Sequence, residues 1–289
     1  ITPLIAAPWA DYALMDSGEG RKLERYGKII VDRPEPQALW AKSMPAPFWG
    51  KAHAIFTDSG GEDSETGKWK INSGTPDTWQ VAWQDMQIIC RLMSFRHMGL
   101  FPEQMTHWSW VNERIKAAGR PLNILNLFAY TGAASLAAAA AGASVTHLDA
   151  SKKAIQWAKD NQEASGLQDK PIRWICDDAK AFVARELRRG KTYDGIILDP
   201  PKFGRGPDGE RWMIEEDLAP FLKDCAALLS DDASFMIITA YAMRLSSISL
   251  SSVLQDVVAE RGGVVDQGEL LIQQENGGRY VSTSLFARW

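Results

Sequence analysis

Residues 122–150 read LNILNLFAYTGAASLAAAAAGASVTHLDA, and this stretch decides the fold. Asn123 to Phe128 is an apolar run of strand length, and the alanine-rich segment after Gly132 favours a helix because alanine has the highest helix propensity. A glycine in the loop between them lets backbone approach a ligand closely, and the N–H groups that open the helix attract an anionic or polar group. The pattern predicts strand, tight loop and helix, as at the start of a nucleotide-binding α/β domain.

A second predicted strand, SVTHLDA, ends at Asp149. Asp149 lies 17 residues after Gly132, near the spacing at which an acidic side chain reaches a ribose. A carboxylate can accept hydrogen bonds from both ribose hydroxyls. The sequence therefore predicts a ligand that contains a nucleoside.

Beyond this stretch, strands and helices alternate. The runs IRWICDD, YDGIILDPP and SFMIITAY each precede a predicted helix and are apolar on both faces, as in a parallel sheet covered by helices. The chain end differs, because VVDQGELLIQQ and RYVSTSLFARW are joined by ENGG, a hairpin signal. The predicted fold class is α/β, with a doubly wound sheet of seven mostly parallel strands and an antiparallel last strand.

The N-terminal part has a different pattern. Alternating runs such as HAIFT, GKWKIN and TWQVAW predict a smaller β-rich subdomain over residues 1–83. Residues 84–121 are predicted to be a connecting helical segment, although residues 84–98 also suit a strand, and residues 122–289 to be the α/β domain. The six tryptophans of residues 1–83 fill the core of a small β unit or form a base-stacking surface.

Composition excludes several classes of protein. The net charge of −4 over 289 residues gives no global electrostatic signal for nucleic acid, so such binding would depend on a local basic patch. The three cysteines are widely spaced and have no CxxC motif or clustered histidine, which argues against a disulfide framework and a metal site and favours the cytoplasm. No apolar run has the roughly 20 residues of a membrane helix.

Three further details narrow the ligand. The loop FAYTG lacks the GxGxxG pattern that serves a diphosphate, so a nicotinamide dinucleotide is disfavoured. Asp177 and Asp178 end the third strand and suit an adenine amino group. Asp199, Pro200 and Pro201 end the fourth, where two prolines stiffen a loop at the carboxyl edge of the sheet. With the terminal hairpin, the pattern resembles the class I S-adenosylmethionine-dependent methyltransferases.

More narrowly, five motifs resemble those of the bacterial large-subunit ribosomal RNA methyltransferases with a DPPKF-type motif. These motifs are GLFPEQ, NLFAYTG, THLDASKKAIQWAKDN, DDA and DPPKFGRG. The resemblance covers about Gly99 to Tyr241 and, more loosely, the β-rich N-terminus. It implies S-adenosyl-L-methionine as cofactor, bound by residues 122–289, and ribosomal RNA as the substrate.

The resemblance also implies roles for single residues. The methionine end of the cofactor is expected beside Asn126, Phe128, Ala129, Thr131 and Gly132, the ribose beside Asp149 and Ser151, the adenine amine beside Asp177 and Asp178, and the reacting methyl group beside Asp199, Pro200 and Lys202. Asp199 is the candidate base or amine-orienting group. Alternatively, the DPP turn only shapes the pocket.

Substrate contacts are expected in the segment after the DPP turn. Phe203 or Tyr241 is a candidate to stack on an extruded base, and Arg205 and Arg211 are candidates for phosphate contacts. Tyr241 is equally compatible with core packing.

The cysteines also bear on the reaction. Relatives that form 5-methylcytosine use a cysteine after the fifth strand or beside the DPP turn, since the ring carbon becomes nucleophilic only after a thiolate adds. Those places read ITAYAMR and DPPKFGR here. We therefore expect transfer to nitrogen or oxygen, for example to a guanine ring nitrogen.

Two other functions remain open at this point. The chain could methylate a protein or a small molecule, which the acidic net charge favours. It could also be a noncatalytic cofactor-binding or RNA-binding module.

Overall fold

The structure, a computed structural model, describes residues 1–59, 66–241, 245–275 and 278–289. The chain forms two compact units. The first comprises Ile1–Leu4, Gln104–Leu270 and Thr283–Trp289, and the second comprises Ile5–Glu103 and Leu271–Ser282. The functional division into residues 1–83, 84–121 and 122–289 stays a prediction.

The elements are numbered along the chain. The strands are β1 Thr2–Ala6, β2 Tyr12–Gly18, β3 Arg21–Tyr26, β4 Ile29–Pro34, β5 Ala54–Asp58, β6 Gly67–Ile71, β7 Thr78–Trp83, β8 Met86–Arg91, β9 Asn123–Leu127, β10 Ser144–Asp149, β11 Ile172–Cys176, β12 Gly195–Leu198, β13 Phe203–Arg205, β14 Arg211–Met213, β15 Phe235–Tyr241, β16 Asp266–Gln273 and β17 Tyr280–Arg288. The α-helices are α1 Ala46–Trp49, α2 Met105–Ala117, α3 Ala133–Ala140, α4 Lys152–Ala164, α5 Ala179–Arg188, α6 Ile214–Ala227 and α7 Ser247–Val258, and short 3₁₀ helices cover Pro102–Gln104 and Ala259–Arg261.

The largest sheet confirms the predicted fold class. It has the strand order β1-β16-β17-β15-β12-β9-β10-β11. Strands β9, β10, β11, β12 and β15 run parallel, whereas β17 runs antiparallel to β15. The sheet contains eight strands rather than the predicted seven, because β1 pairs beside β16 at one edge.

Helices cover both faces of the parallel strands because neighbouring side chains alternate between two apolar clusters. Leu125 and Leu198 belong to the cluster that contains the apolar faces of α5, α6 and α7. Ile124 and Ile197 belong to the cluster that contains those of α2 and α3. This two-residue period on strands that are apolar throughout explains the doubly wound arrangement.

The second unit confirms the predicted β-rich N-terminal region. It contains a five-stranded sheet, β2-β3-β4-β5-β6, and the two-stranded sheet β7-β8. Residues 86–91 are therefore a strand, and the predicted connecting segment is helical only further along, in α2. The predicted turns at 58–67 and 275–278 include residues 60–65 and 276–277, which lie outside the described residues.

Two kinds of feature are absent from the described residues. No helix there is both long and apolar enough to cross a membrane. No group of three or more His, Cys, Asp or Glu side chains there could hold a metal ion.

A buried ionic cluster fastens the sheet of the second unit. Glu24 is fully buried, and its carboxylate accepts from Arg33 Nε at 2.9 Å and Nη2 at 2.6 Å and from Tyr12 Oη at 2.9 Å. Burial by itself raises the pKa of Glu24, but the charges of Arg33 and Lys22 and the hydrogen bonds outweigh it and hold that pKa below its ordinary value. Strands β2, β3 and β4 are thereby tied together.

Replacing Arg33 by methionine is expected to destabilise the protein by about 3–5 kcal/mol, because Glu24 stays buried but loses its closest counter-charge. Urea unfolding followed by tryptophan fluorescence measures the effect. Glu19→Gln is the control, since the Glu19 side chain is 63% exposed and 3.7 Å from Lys42, and it is expected to change stability by no more than about 0.5 kcal/mol. Equal unfolding midpoints for both variants would contradict the structural role of the cluster.

Candidate functional site

The loop between β9 and α3 has an unusual backbone. Phe128 has φ of +56°, Tyr130 of +47° and Gly132 of +85°. Left-handed conformations cost non-glycine residues roughly 1–2 kcal/mol each, and they cluster at functional sites where the surroundings enforce them. The FAYTG segment is therefore a shaped loop at the carboxyl edge of the sheet.

Three hydrogen bonds to two other segments, β10 and α4, enforce this shape. Ala129 N–H donates to the Leu148 carbonyl at 3.0 Å, and Tyr130 N–H donates to Asp149 Oδ2 at 2.9 Å. Asn161 Nδ2, on α4, donates to the Thr131 carbonyl at 2.9 Å. The loop is thus fixed by β10 and α4 before any ligand binds.

Asp149 connects the loop to the next helix. Its Oδ1 accepts from Ser151 N–H at 2.8 Å, and Ser151 Oγ in turn caps α4 by accepting from Ala154 N–H at 3.2 Å. Burial raises the pKa of the Asp149 carboxyl, although the N–H donors of Ser151 and Tyr130 oppose that shift. A carboxylate offers about four acceptor positions, so this half-buried group can still accept from ligand hydroxyls.

Gly132 begins α3 in close contact with α4. A Cβ atom on Gly132 would lie 2.9 Å from the Ala158 Cβ. Glycine is therefore required at this position for two reasons: the backbone is left-handed, and α4 leaves no room for a Cβ atom.

Behind the loop lies a polar chain that sequence reasoning did not find. Asn126 Nδ2 donates to Ser135 Oγ at 2.9 Å, and Ser135 Oγ lies 2.9 Å from His147 Nδ1. The three side chains are 2%, 0% and 0% exposed. Burial lowers the pKa of His147 to about 3, so the imidazole is neutral. Asn126 thus lies beneath the loop, linked to α3 and β10.

Asp177 and Asp178 follow β11, as predicted, but already have structural partners. Asp178 caps α5 by accepting from Ala181 N–H at 2.9 Å, and it is 7% exposed. Asp177 forms an ion pair with Arg185 and accepts from the Asp178 N–H at 2.9 Å. Arg185, in the last turn of α5, is thus engaged by this acid.

The DPP turn after β12 is anchored on both sides. Asp199 N–H donates to the Leu127 carbonyl at 3.4 Å, which places Asp199 beside the end of β9. Gln104 Nε2 donates to Asp199 Oδ2 at 3.2 Å. The Lys202 carbonyl accepts from Ile214 N–H at 3.1 Å. Gln104 belongs to the GLFPEQ motif, so this motif contributes directly to the site.

Trp212 is a second residue that sequence reasoning missed. It is 3% exposed, and its Nε1–H donates to the Pro201 carbonyl at 2.7 Å. Its ring lies 4.9 Å from that of Phe128 and 5.3 Å from that of Phe221. Trp212 therefore joins the DPP turn, the FAYTG loop and α6.

The predicted substrate residues lie at the same edge but differ in exposure. Phe203, Arg205 and Arg211 belong to the hairpin β13–β14 and are exposed, with Phe203 at 53%. Tyr241 ends β15 and is half-buried beside Ser284 of β17. The roles of all predicted site residues stay predictions.

Comparison with protein families gives a specific match. A family model described as S-adenosylmethionine-dependent methyltransferase matches residues 46–238. Two curated relatives are ribosomal RNA large subunit methyltransferase K/L of Shewanella frigidimarina, 35% identical over 147 residues, and ribosomal RNA large subunit methyltransferase I of Shewanella denitrificans, 43% identical over 82 residues. The matches cover 50% and 28% of this chain but only 20% and 21% of the relatives, so the chain spans about a fifth of their length.

Solved structures extend the similarity to the whole chain. The crystal structure of the SAM-dependent methyltransferase from Agrobacterium tumefaciens is 48% identical, with a TM-score of 0.95, and the match covers 100% of this chain and 93% of that one. A methyltransferase candidate from Streptococcus mutans has a TM-score of 0.71 over 96% of this chain and 74% of its own. At 17% identity, this second match shows a shared fold alone.

Gly132→Ala is expected to weaken binding of S-adenosylhomocysteine, the product form of the methyl donor, and to lower the melting temperature. Gly166→Ala is the matched control, since Gly166 has φ of +65° and a Cβ there would have nothing within 4 Å. Both variants carry the cost of about 1–2 kcal/mol for a left-handed alanine, but only Gly132→Ala adds a clash with Ala158. The difference between their calorimetric affinities therefore measures the effect of that clash. Equal affinities for the two variants would show that close packing of α3 on α4 does not shape the site.

Proposed function

Since this chain belongs to the S-adenosylmethionine-dependent methyltransferase family, we propose that it methylates a base in ribosomal RNA at nitrogen or oxygen. The observation that carries this proposal is the Asp199 turn, in which a carboxylate is oriented by Gln104 at the carboxyl edge of the sheet and no thiol belongs to the turn. The ribosomal RNA named for the curated relatives supports the substrate class.

S-adenosyl-L-methionine is the cofactor of this family, and the crevice residues fit it. The FAYTG loop has the left-handed backbone of a ligand-binding turn without the three glycines that a diphosphate needs. Asp149 combines a half-buried carboxylate with remaining acceptor capacity, as a ribose diol requires. When bound, the cofactor supplies a methyl group on a sulfonium, which is electrophilic without further activation.

The chain's own residues would then bind and orient. In this proposal, Phe128, Ala129, Thr131 and Gly132 surround the methionine end, and Asn126 supports that loop from beneath through Ser135. Asp149 accepts from the ribose hydroxyls, and Ser151 holds Asp149 through its N–H. Asp178, with Asp177 beside it, accepts from the adenine amine. Such prearranged contacts lower the barrier by fixing the geometry of attack.

Asp199 is proposed as the group that orients an acceptor amine or takes its proton. Gln104 donates to Oδ2 and so fixes the carboxylate plane, while Pro200 and Pro201 restrict the turn. A ring nitrogen or an exocyclic amine that carries a proton needs such an acceptor. Lys202 lies exposed in the same turn, where its charge would attract the RNA backbone.

The cysteines support transfer to nitrogen or oxygen rather than to a pyrimidine carbon. Cys90 and Cys225 are buried, and burial raises the pKa of both thiols. Cys176 ends β11 with an exposed side chain, and its thiol lies 3.6 Å from the Ala150 carbonyl. Partial desolvation and the charges of Asp149 and Asp177 raise the pKa of this thiol, although Lys152 opposes that shift. A raised thiol pKa opposes formation of the attacking thiolate.

The proposed RNA contacts are Phe203, Arg205 and Arg211 of the hairpin, with Tyr241 at the end of β15 as a second aromatic candidate. An extruded base costs a few kcal/mol, and stacking on an aromatic ring returns about 1–3 kcal/mol. Action on ribosomal RNA would place the protein in the cytoplasm.

Asp199→Asn is expected to lower methyl transfer by about 100-fold or more, in the range of general acid–base contributions. The assay uses radiolabelled cofactor and ribosomal RNA from a strain that lacks the gene. Asp231→Asn, a change at an exposed acid, is expected to leave the rate unchanged. S-adenosylhomocysteine affinity checks that the Asp199 variant still folds. The proposal would be contradicted if the label were transferred to a protein or a small molecule instead of RNA, or if the wild-type protein transferred none.

The affinity for S-adenosylhomocysteine is expected to fall on acidification at a higher pH than an ordinary aspartate would require. Burial raises the Asp149 pKa, so the carboxyl gains its proton earlier as pH falls, and only the ionised form accepts from both hydroxyls. Calorimetry over a pH series measures this dependence. Asp149→Asn should bind weakly with little pH dependence. A wild-type affinity that is flat between neutral pH and the onset of unfolding would exclude Asp149 as the ribose acceptor.

A further inference from the structure

The hairpin β13–β14 has one inner and one outer face. Its register pairs Phe203 with Met213, Gly204 with Trp212 and Arg205 with Arg211. Directly opposed residues of an antiparallel pair share a face, and successive residues alternate. Trp212 thus points inward, whereas Phe203, Arg205, Arg211 and Met213 share the outer face.

The hairpin is anchored to the DPP turn, to α5 and to α6. Trp212 donates to the Pro201 carbonyl and packs on Phe128, as described above. Lys180 Nζ donates to the Arg211 carbonyl at 2.8 Å and to Asp217 Oδ1 at 2.8 Å, and Asp217 Oδ2 accepts from Met213 N–H at 2.7 Å. A face held in this way would lose little conformational entropy when a partner binds.

On the outer face, the side chains of Phe203, Arg205 and Arg211 are exposed, and the Arg211 guanidinium contacts Met213 Sδ. Among the aromatic side chains in the described ranges, Phe203 is the most exposed, at 53%. Arg205 and Arg211 stand directly opposite each other, and opposed like charges destabilise a strand pair. Arg211 meets Glu216 at 3.3 Å, but both side chains are more than half exposed and solvent and salt weaken such a pair.

These features complement an unpaired nucleotide strand. An exposed ring stacks on any base, and cations beside it meet the phosphates. The Arg205 guanidinium lies 5.9 Å from the Phe203 ring centre, near enough to accompany a stacked base. The acids of the segment, Asp208 and Glu210, lie in the connecting turn, where the Glu210 carboxylate accepts from the Asp208 N–H at 3.0 Å.

We propose that the outer face of this hairpin binds the single-stranded RNA segment that contains the acceptor nucleotide, with one unpaired base on Phe203 and phosphates at Arg205 and Arg211. The proposal rests on the proposed function for its choice of RNA as partner. In this proposal the hairpin guides the RNA strand to the DPP turn. The hydrogen bond between Trp212 and Pro201 joins the hairpin to that turn directly.

Fluorescence anisotropy with labelled oligouridine, at a series of salt concentrations and with S-adenosylhomocysteine present, tests this assignment. Phe203→Ala is expected to weaken binding by about 5- to 150-fold, the range for loss of one stacked base. Arg205→Gln and Arg211→Gln are each expected to reduce the slope of log affinity against log salt by about 0.7.

Two control variants match these changes in chemistry. Ile248→Ala removes an apolar side chain that is also 53% exposed, and Lys223→Gln removes an exposed positive charge on α6. Both should bind oligouridine like the wild-type protein. Phe203→Ala binding as tightly as Ile248→Ala, or a salt slope for Arg205→Gln equal to that of Lys223→Gln, would overturn the proposal, as would a wild-type protein that does not bind oligouridine.

The two proposals fail in different ways. Methylation of ribosomal RNA that is unaffected by Phe203→Ala and Arg205→Gln contradicts the hairpin assignment alone. Oligouridine binding that these variants weaken, without any transfer to ribosomal RNA by the wild-type protein, supports the hairpin assignment and contradicts the proposed function.

Discussion

The hydrogen bonds accepted by Asp149 hold the candidate site together. One oxygen accepts from Tyr130 N–H in the β9–α3 loop, and the other accepts from Ser151 N–H at the start of α4. The first bond helps to hold Tyr130 in its left-handed conformation. The carboxylate proposed to bind the ribose is therefore also the group that shapes the loop. Its burial raises its pKa. Structure and proposed binding depend on one ionised side chain.

Trp212 extends this constraint from the proposed cofactor side to the proposed acceptor side. Phe128, held left-handed by the loop, packs on the Trp212 ring, and Trp212 donates to the Pro201 carbonyl of the DPP turn. A shift of the FAYTG loop would thus be transmitted through one indole ring to the turn that carries Asp199. In-line transfer requires donor and acceptor to be held to within a fraction of an ångström, and this packed contact between the two loops is suited to that requirement.

Local chemistry determined which parts of the fold were predictable. Strands β9, β10, β12 and β15 were predictable because their apolar runs are buried on both faces, and β11 because its short run ends at two aspartates. The exposed hairpin β13–β14 was not predicted, since its three-residue strands carry no apolar run. β8 was ambiguous since its alternation occupies only six residues, and β1 was missed because a short edge strand has little signal of its own. In the site, Asp149 ends a strand and Asp199 directly follows one, so the positions of both could be predicted from the sequence. Trp212 and Ser135 could not be predicted, since their importance depends on pairing and packing between distant segments. Asp178 was placed correctly after β11, but its capping of α5 appears only with the helix start.

The positions of the cysteines, of Asp199 and of the hairpin bear on whether a pyrimidine carbon or a nitrogen is the acceptor. A pyrimidine carbon needs a thiolate within reach of the ring, yet Cys225 is buried in α6, and the thiol of Cys176, although exposed at the end of β11, has a raised pKa. A nitrogen acceptor needs only an oriented carboxylate and a base held still, because its lone pair attacks without prior covalent addition. In the proposed function, Asp199, oriented by Gln104, would supply the first requirement, and the anchored hairpin with its exposed Phe203 would supply the second. For such an acceptor the catalytic demand would be one of positioning, and a site of anchored loops without an activated thiol is consistent with that demand.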